Sequence, residues 1–305
     1  MGYGRKKYLI IVAGPTAVGK TGMAIDIALQ TGTEIVNADS RQVYQELNIG
    51  VARPDPGQLK AVRHHLVAFR TIYDPYDAGS FARDFDALSS RIFQEQDYLV
   101  VCGGTGLYLK SITSGLDEFP SVDPAIIDGF QQQHDNEGIE VLQNQLKEAD
   151  PEYYRKVDLS NSKRLIRALG VIAQTGTPYS SFLVRKEREN PYEVIPILLE
   201  LPRDILYDHI NKRVEQMLEA GLVEEARAVY PHRHLRSLHT VGYSELFHYF
   251  DGILSLDEAI DKIRQHTRNY AKRQLTWFKN QENWTRFSPD DLPGALEFIR
   301  KMSRF

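Results

Sequence analysis

Apolar residues in this chain come as short unbroken runs set between longer stretches with helical spacing. YLIIVA at 8–13 is the first run. TEIVNADS (33–40) holds the second and ends at Asp39, DYLVVCGG (97–104) holds the third, and YEVIPILLEL (192–201) the fourth. A run without polar alternation is what a strand buried on both faces requires, and such strands alternating with helices build a parallel sheet. Helical spacing predicts helices over about 20–30 and 80–96. Between the third and fourth runs, 117–190 opens with FPSVDP and contains RLIRALGVIAQTG, apolar at a period near 3.6. This stretch reads as a helical insertion domain, and the core as 1–116 together with 191–305. Beyond residue 201 the pattern is almost wholly helical, and no internal repeat or low-complexity segment interrupts it.

The first run passes directly into GPTAVGKT, Gly14, Pro15, Thr16, Ala17, Val18, Gly19, Lys20 and Thr21, which matches GxxxxGK(S/T). Glycines there let backbone N–H groups turn toward a phosphate, and the following helix adds its positive N-terminal end. Lys20 would neutralise phosphate oxygens and the Thr21 hydroxyl could ligate Mg²⁺. The fold class is therefore α/β, a P-loop NTPase-like parallel sheet flanked by helices, with the helical insertion and a helical C-terminal region. The motif shows diphosphate binding without naming the reaction, since the same loop serves ATP. A P-loop NTPase usually adds an Asp at the end of a second apolar strand to hold Mg²⁺; here the third run ends LVVCGG, with no acid.

The carboxylate that does end a strand is Asp39 in NADSRQVY, which is either a helix N-cap or a general base. Parallel strands end at one edge, where ligands bind, so Asp39 should lie near the loop. GGTGLY (103–108) follows the third run at the same edge, either as a plain glycine turn or as a close approach to ligand with Thr105 as hydrogen-bonding partner. Arg213, in LYDHINKRVEQML, sits either on a solvated helix face or over a diphosphate. The adjacent His64 and His65 would face opposite ways on an extended segment, which suits polar packing better than metal binding.

Composition changes the picture in two ways. A single cysteine, Cys102, excludes an intrachain disulfide, and no Cys/His spacing suits zinc; the six-residue apolar run near the N-terminus is too short to span a membrane, so a cytoplasmic protein is expected. The net charge of −4 argues mildly against nucleic acid, but it averages unlike regions. Residues 117–158 carry eleven acids against three Lys/Arg, whereas 163–190 carry six Lys/Arg against two acids and 262–286 carry seven against one. Local sign governs attraction to a polyanion, because fields are screened beyond about 8 Å at physiological salt.

Taken together, GPTAVGKT, NADSRQVY, HHLV, GGTGLY, KRLIRAL (163–169), INKRVEQML with AGLVEEA, HTVGYSEL and YAKRQLTWF resemble the tRNA dimethylallyltransferases, or tRNA isopentenyltransferases, across residues 8–287. No cysteine-rich tail of the kind seen in some eukaryotic members follows, so the bacterial type is expected. The resemblance implies transfer of a dimethylallyl group from dimethylallyl diphosphate to the N6 amine of adenosine 37 in tRNA, beside the anticodon, with Mg²⁺ as cofactor and the chain acting as a monomer. It makes Asp39, Thr105, Lys20 and Arg213 catalytic. It maps contacts to the tRNA anticodon stem-loop onto Asp39, Ser40, Arg41 and Gln42, onto Thr105, onto Lys163, Arg164, Leu165, Ile166 and Arg167, and onto His239, Thr240, Val241, Gly242, Tyr243 and Ser244. Three rivals fit parts of the sequence: a P-loop small-molecule kinase, a transferase acting on free adenine nucleotides, and a non-catalytic RNA-binding module. The missing second strand-end Asp argues against the first, the long insertion and basic segments against the second, and the intact GKT with Asp39 against the third.

Overall fold

The computed structural model describes residues 6–184, 188–281 and 283–303. Arg185 and Lys186 of the basic stretch, and the acids Glu187 and Glu282 that offset the two basic segments, lie outside the described residues. The chain forms two compact units, one built from residues 1–113 with 189–305 and the other from 114–188.

In chain order the first unit contains β1 (Tyr8–Ala13), α1 (Lys20–Thr31), β2 (Ile35–Asn37), α2 (Pro56–Ala61), β3 (His64–His65), α3 (Ala78–Glu95), β4 (Tyr98–Gly103) and α4 (Gly106–Thr113). The second unit supplies α5 (Pro124–Glu137), α6 (Ile139–Ala149), α7 (Pro151–Tyr154) and α8 (Ser162–Thr175). The first unit then resumes with β5 (Glu193–Leu199), α9 (Arg203–Glu219), α10 (Leu222–Val229), α11 (Tyr243–Phe250), α12 (Leu256–Lys279), β6 (Thr285–Phe287) and α13 (Leu292–Ser303).

All six strands are parallel, in the order β3-β2-β4-β1-β5-β6. Every residue of β1 is buried because helices cover both faces of the sheet, which is why the sequence offers no polar alternation there. Parallel strands need crossovers, and each crossover starts from the same edge. The loop after β1, Asp39 after β2, the glycines closing β4 and the entry to α9 after β5 therefore gather at one edge.

Two short strands depart from the sequence reading. Thr285–Phe287 joins the sheet beside β5, so the chain beyond residue 201 is not wholly helical. A three-residue edge strand is too short to leave an alternation signal. His64–His65 pairs with β2 at the opposite edge, where the His64 ring nitrogen Nδ1 meets the Val62 carbonyl at 2.9 Å and His65 meets the Glu34 carboxylate. Among the described residues no helix is long and apolar enough to cross a membrane.

The second unit has its own core, with Leu142, Leu146, Leu165, Ile166, Ala168 and Leu169 buried together. Asp150, only 1% exposed, ties this unit internally by accepting hydrogen bonds from Tyr153 N–H and from Ser180 N–H and Oγ. Its helices start where the sequence supplies caps: Asp123 before Pro124 and Asn161 before Ser162 each accept a backbone N–H of the first turn.

At the functional edge, β4 ends on glycine for a steric reason. A Cβ on Gly103 would stand 2.3 Å from the Ala38 carbonyl oxygen, so β2 and β4 leave the sheet back to back. Gly103→Ala should therefore destabilise the fold by about 1–3 kcal/mol, the usual cost of overpacking a fixed backbone contact. Urea denaturation of the purified variant would read this as a lower midpoint at unchanged slope.

Candidate active site

The loop between β1 and α1 is shaped by three left-handed or glycine-specific positions. Gly14 (φ 152°) has no room for a side chain, since a Cβ would lie 2.8 Å from the Leu199 carbonyl; Gly19 (φ 100°) precedes the helix and Ala17 (φ 64°) stands in the left-handed region. Strain at a non-glycine residue persists where the surroundings over-determine it, and such positions cluster at ligand clamps. No side chain caps α1 and no acid lies in its first turn, so its open N–H groups and positive end face the cavity without competition.

Lys20 folds back and donates to the Pro15 carbonyl at 2.6 Å. Burial pulls its ammonium down to about 8. From α9, Arg213 donates to the Thr16 hydroxyl at 3.1 Å, and burial likewise pulls its guanidinium below the ordinary value. Among the described residues neither cation has a salt bridge to a carboxylate. Two buried positive charges without a counter-ion are costly unless an anion completes them.

A cavity of about 410 Å³ opens over these groups, lined by Thr16, Ala17, Gly19, Lys20, Thr21 and Arg213 on one side and by Asp39 and Cys102 on another. Gly14, Pro15 and Val18 of the expected set are not in its wall: Gly14 packs on Leu199, Pro15 supplies its carbonyl to Lys20, and the Val18 side chain is buried in the core. Cys102 occupies the end of β4. Burial pushes its thiol up to about 11, so it is a neutral neighbour rather than a thiolate ligand.

A second cavity, about 320 Å³, shares Thr16, Asp39, Val51, Ala52, Arg213 and Tyr270 with the first and continues past Ile210, Val214, Met217, Leu222 and Ile263. Ser40, Arg41, Gly50, His239, Thr240, Val241, Gly242, Thr267 and Arg273 complete its wall. Asp39 thus stands where a cationic, phosphate-sized space meets a largely apolar one. No helix starts at Asp39, which removes the capping alternative: its Oδ1 accepts from Arg41 N–H at 2.8 Å in an Asx turn, and no donor among the described residues reaches Oδ2. Burial and the Asp39 charge push the nearby Tyr270 phenol up, keeping it neutral.

Several expected residues serve the site indirectly. Thr105 is in neither cavity wall. Its N–H donates to the Ala38 carbonyl at 3.3 Å and its Oγ1 accepts from Ser40 N–H at 3.0 Å, which brackets Asp39 from both sides. Gln42 lines the first cavity and donates to the Val51 and Ala52 carbonyls at 3.1 and 2.9 Å. Tyr243 is fully buried and Ser244 bonds the Thr240 carbonyl, so the side chains of that segment open to the second cavity come from His239 to Val241. On α8, Lys163, Arg164 and Arg167 are exposed while Leu165 and Ile166 are buried in the second unit's core; helical spacing turns these two away from any RNA, correcting their place among contact residues.

Sequence reasoning missed Gln274. This buried α12 side chain accepts from Thr16 N–H at 2.8 Å and donates to the Gly104 carbonyl at 2.9 Å, clamping the loop to the end of β4. Its available signal was a polar residue four positions from both Tyr270 and Phe278, on the buried stripe of the helix.

Fold and site together define a P-loop α/β protein with two buried cations at the loop and the Asp39 carboxylate in the wall of the same cavity. The IPP transferase family model matches residues 42–281, and the chain belongs to that family. It is 46% identical to a tRNA dimethylallyltransferase of Christiangramia forsetii over 93% of this chain and 94% of that protein. It is 44% identical to tRNA dimethylallyltransferase 2 of Parabacteroides distasonis, over 93% and 95% respectively. Its fold is also similar to the crystal structure of full-length tRNA isopentenylpyrophosphate transferase from Bacillus halodurans, with a TM-score of 0.72, 32% identity, and coverage of 98% of this chain and 96% of that one.

The depressed Lys20 gives a signed pH dependence. Its proton is lost as pH rises through about 8, earlier than for an ordinary lysine, and with it goes the attraction for an anion. Calorimetric affinity for inorganic diphosphate should fall from pH 7 to 9, and a Lys20→Met variant should bind more weakly and lack that part of the slope. An identical slope in both would remove Lys20 from the anion site.

Proposed function

We propose that the chain transfers the dimethylallyl group of dimethylallyl diphosphate to N6 of adenosine 37 in tRNAs reading codons that begin with U, releasing diphosphate. The observation that carries this reading is the position of Asp39 in the wall common to the two cavities. The loop amides, Lys20 and Arg213 take the diphosphate in the first, and the flipped adenine enters from the second.

The C1–O bond of the allylic diphosphate breaks with its electron pair staying on the diphosphate. N6 forms the new bond to C1, and its proton passes to the Asp39 carboxylate. Lys20, Arg213 and the α1 N-terminus are aimed where negative charge develops, the arrangement that lowers such barriers most. An exocyclic amine is a poor nucleophile because its lone pair is delocalised into the ring, and removing its proton is worth about 10²–10⁴-fold. Leaving the stack costs the adenine roughly a few kcal/mol, offset by burial among Met217, Leu222 and Val241.

The donor set suits a Mg²⁺ that arrives on the diphosphate. Thr21 lines the first cavity with a hydroxyl that has no hydrogen bond among the described residues, and no group of three or more His, Cys, Asp or Glu side chains that could hold a metal ion is found among them. Most ligands would then be phosphate oxygens and water, as Mg²⁺ prefers. Bound there, the ion would neutralise charge on the leaving group.

The test is nucleoside mass spectrometry of tRNA after incubation with dimethylallyl diphosphate, which should gain one dimethylallyl group on a single adenosine. Asp39→Asn should fold and bind diphosphate normally yet slow single-turnover transfer by about 10²–10⁴-fold. A wild-type single-turnover rate in that variant would leave catalysis to leaving-group stabilisation alone. Reversing Lys163, Arg164 and Arg167 to Glu should raise KM for tRNA and flatten its salt dependence, because phosphate contacts release counterions. KM for dimethylallyl diphosphate should stay unchanged, and a tRNA KM equal to wild type would take α8 out of RNA binding.

A further inference from the structure

Val51 and Ala52 line both cavities, and the backbone just before them is held from outside. Glu225, on α10, accepts hydrogen bonds from three successive backbone groups: Asn48 N–H at 3.1 Å, Ile49 N–H at 2.9 Å and Gly50 N–H at 2.9 Å. Its Oε1 also accepts from the Tyr243 hydroxyl at 2.6 Å. Consecutive N–H groups converging on one carboxylate form an anion nest, and bonds to an ionised acceptor are about twice as strong as neutral ones. Tyr243 closes the nest from the other side: a Cβ on Gly50 would lie 2.6 Å from its ring, so ring and loop are in direct contact. Both residues fall in stretches, AGLVEEA and HTVGYSEL, to which the transfer chemistry assigns no reacting atom.

The loop held in this way presents Val51 and Ala52 to both cavities, beside Asp39 and Thr16. Ala52 stands in the left-handed region at φ 49°, and Gln42 pins the Val51 and Ala52 carbonyls from the inner side. The apolar wall at the junction is thus fixed from both faces, by Glu225 behind it and Gln42 before it.

We propose that Glu225, with Tyr243, is a positioning residue that sets the Val51–Ala52 wall and so limits the length of the alkyl group the site transfers. This rests on the proposed function, because the allylic carbon must cross the junction to meet N6. A five-carbon group fits a narrow passage between the diphosphate and the adenine, whereas a ten-carbon group needs the wall to yield.

The experiment compares dimethylallyl with geranyl diphosphate in transfer to tRNA, reading the ratio of kcat/KM values for wild type, Glu225→Gln, Tyr243→Phe and Val51→Ala. Gln keeps the shape of Glu but replaces one acceptor oxygen with a donor and removes the charge. Glu225→Gln should narrow the five- to ten-carbon preference by about tenfold or more, the scale on which apolar pockets discriminate by size. Val51→Ala, which removes part of the wall directly, should narrow it similarly, with a small fall in Tm because Val51 also packs on the core. Inorganic diphosphate affinity should stay at the wild-type value in Glu225→Gln and Tyr243→Phe, whose side chains lie in neither cavity wall. A preference unchanged in Glu225→Gln and Val51→Ala, even with lower rates or Tm, would overturn the inference and leave Glu225 a purely structural bond. Failure of the wild type to alkylate tRNA with either diphosphate would instead overturn the proposed function.

Discussion

Two buried cations without carboxylate partners govern this molecule. Lys20 and Arg213 sit at the open end of α1, and each is pulled toward its neutral form by burial. Left alone they repel one another and cost stability; a multiply charged anion between them reverses the sign of the interaction. The surrounding architecture keeps them close to each other, with Asp39 across the same cavity and no salt bridge to either among the described residues. Gln274 fixes Thr16, Thr16 receives Arg213, and the first turn of α1 contains no Asp or Glu that could collapse onto Lys20.

In the proposed reaction one wall serves both charges. Lys20 lines the first cavity, Arg213 and Asp39 line both, and the Asp39 Oδ1 is engaged by its own turn while no donor among the described residues reaches Oδ2. Burial holds the Tyr270 phenol and the Cys102 thiol beside Asp39 neutral, so these neighbours do not compete for the proton. A base reaching an amine and cations reaching a diphosphate are opposite demands, and the shared wall between two cavities meets both.

Much of this was legible in the sequence for local reasons. Fully buried parallel strands declare themselves as apolar runs, so β1, β4 and β5 are legible within a residue or two, and the common edge of a parallel sheet puts Asp39, the loop and the β4 glycines together. Short edge strands carry too few residues for a pattern, which is why Thr285–Phe287 was read as part of a helical tail. Among the site residues, those that act through backbone or charge near a glycine motif were visible. Those that act through long-range hydrogen bonds were not: Gln274 reaches the loop across 258 positions and Glu225 reaches Gly50 across 175. Burial also overrode segment-level mapping, since α8 has one exposed face, with Lys163, Arg164 and Arg167, and Leu165 and Ile166 belong to its inner face.

The last step concerns how a rigid sheet supports a site made of loops. Loops ordinarily carry mobile, replaceable residues, yet each loop at this edge is tied down by a partner from a distant element. Thr105 brackets Asp39, Gln274 clamps the P-loop to Gly104, and Glu225 nests the backbone of 48–50. In each case a side chain satisfies backbone polar groups that would otherwise be buried unpaired, so breaking the tie leaves orphaned donors or acceptors at about 1–3 kcal/mol apiece. Order at the site is therefore enforced by the cost of leaving N–H and C=O groups unpaired. That cost arises only if the loops move, so these ties oppose rearrangement of the loops around the two cations.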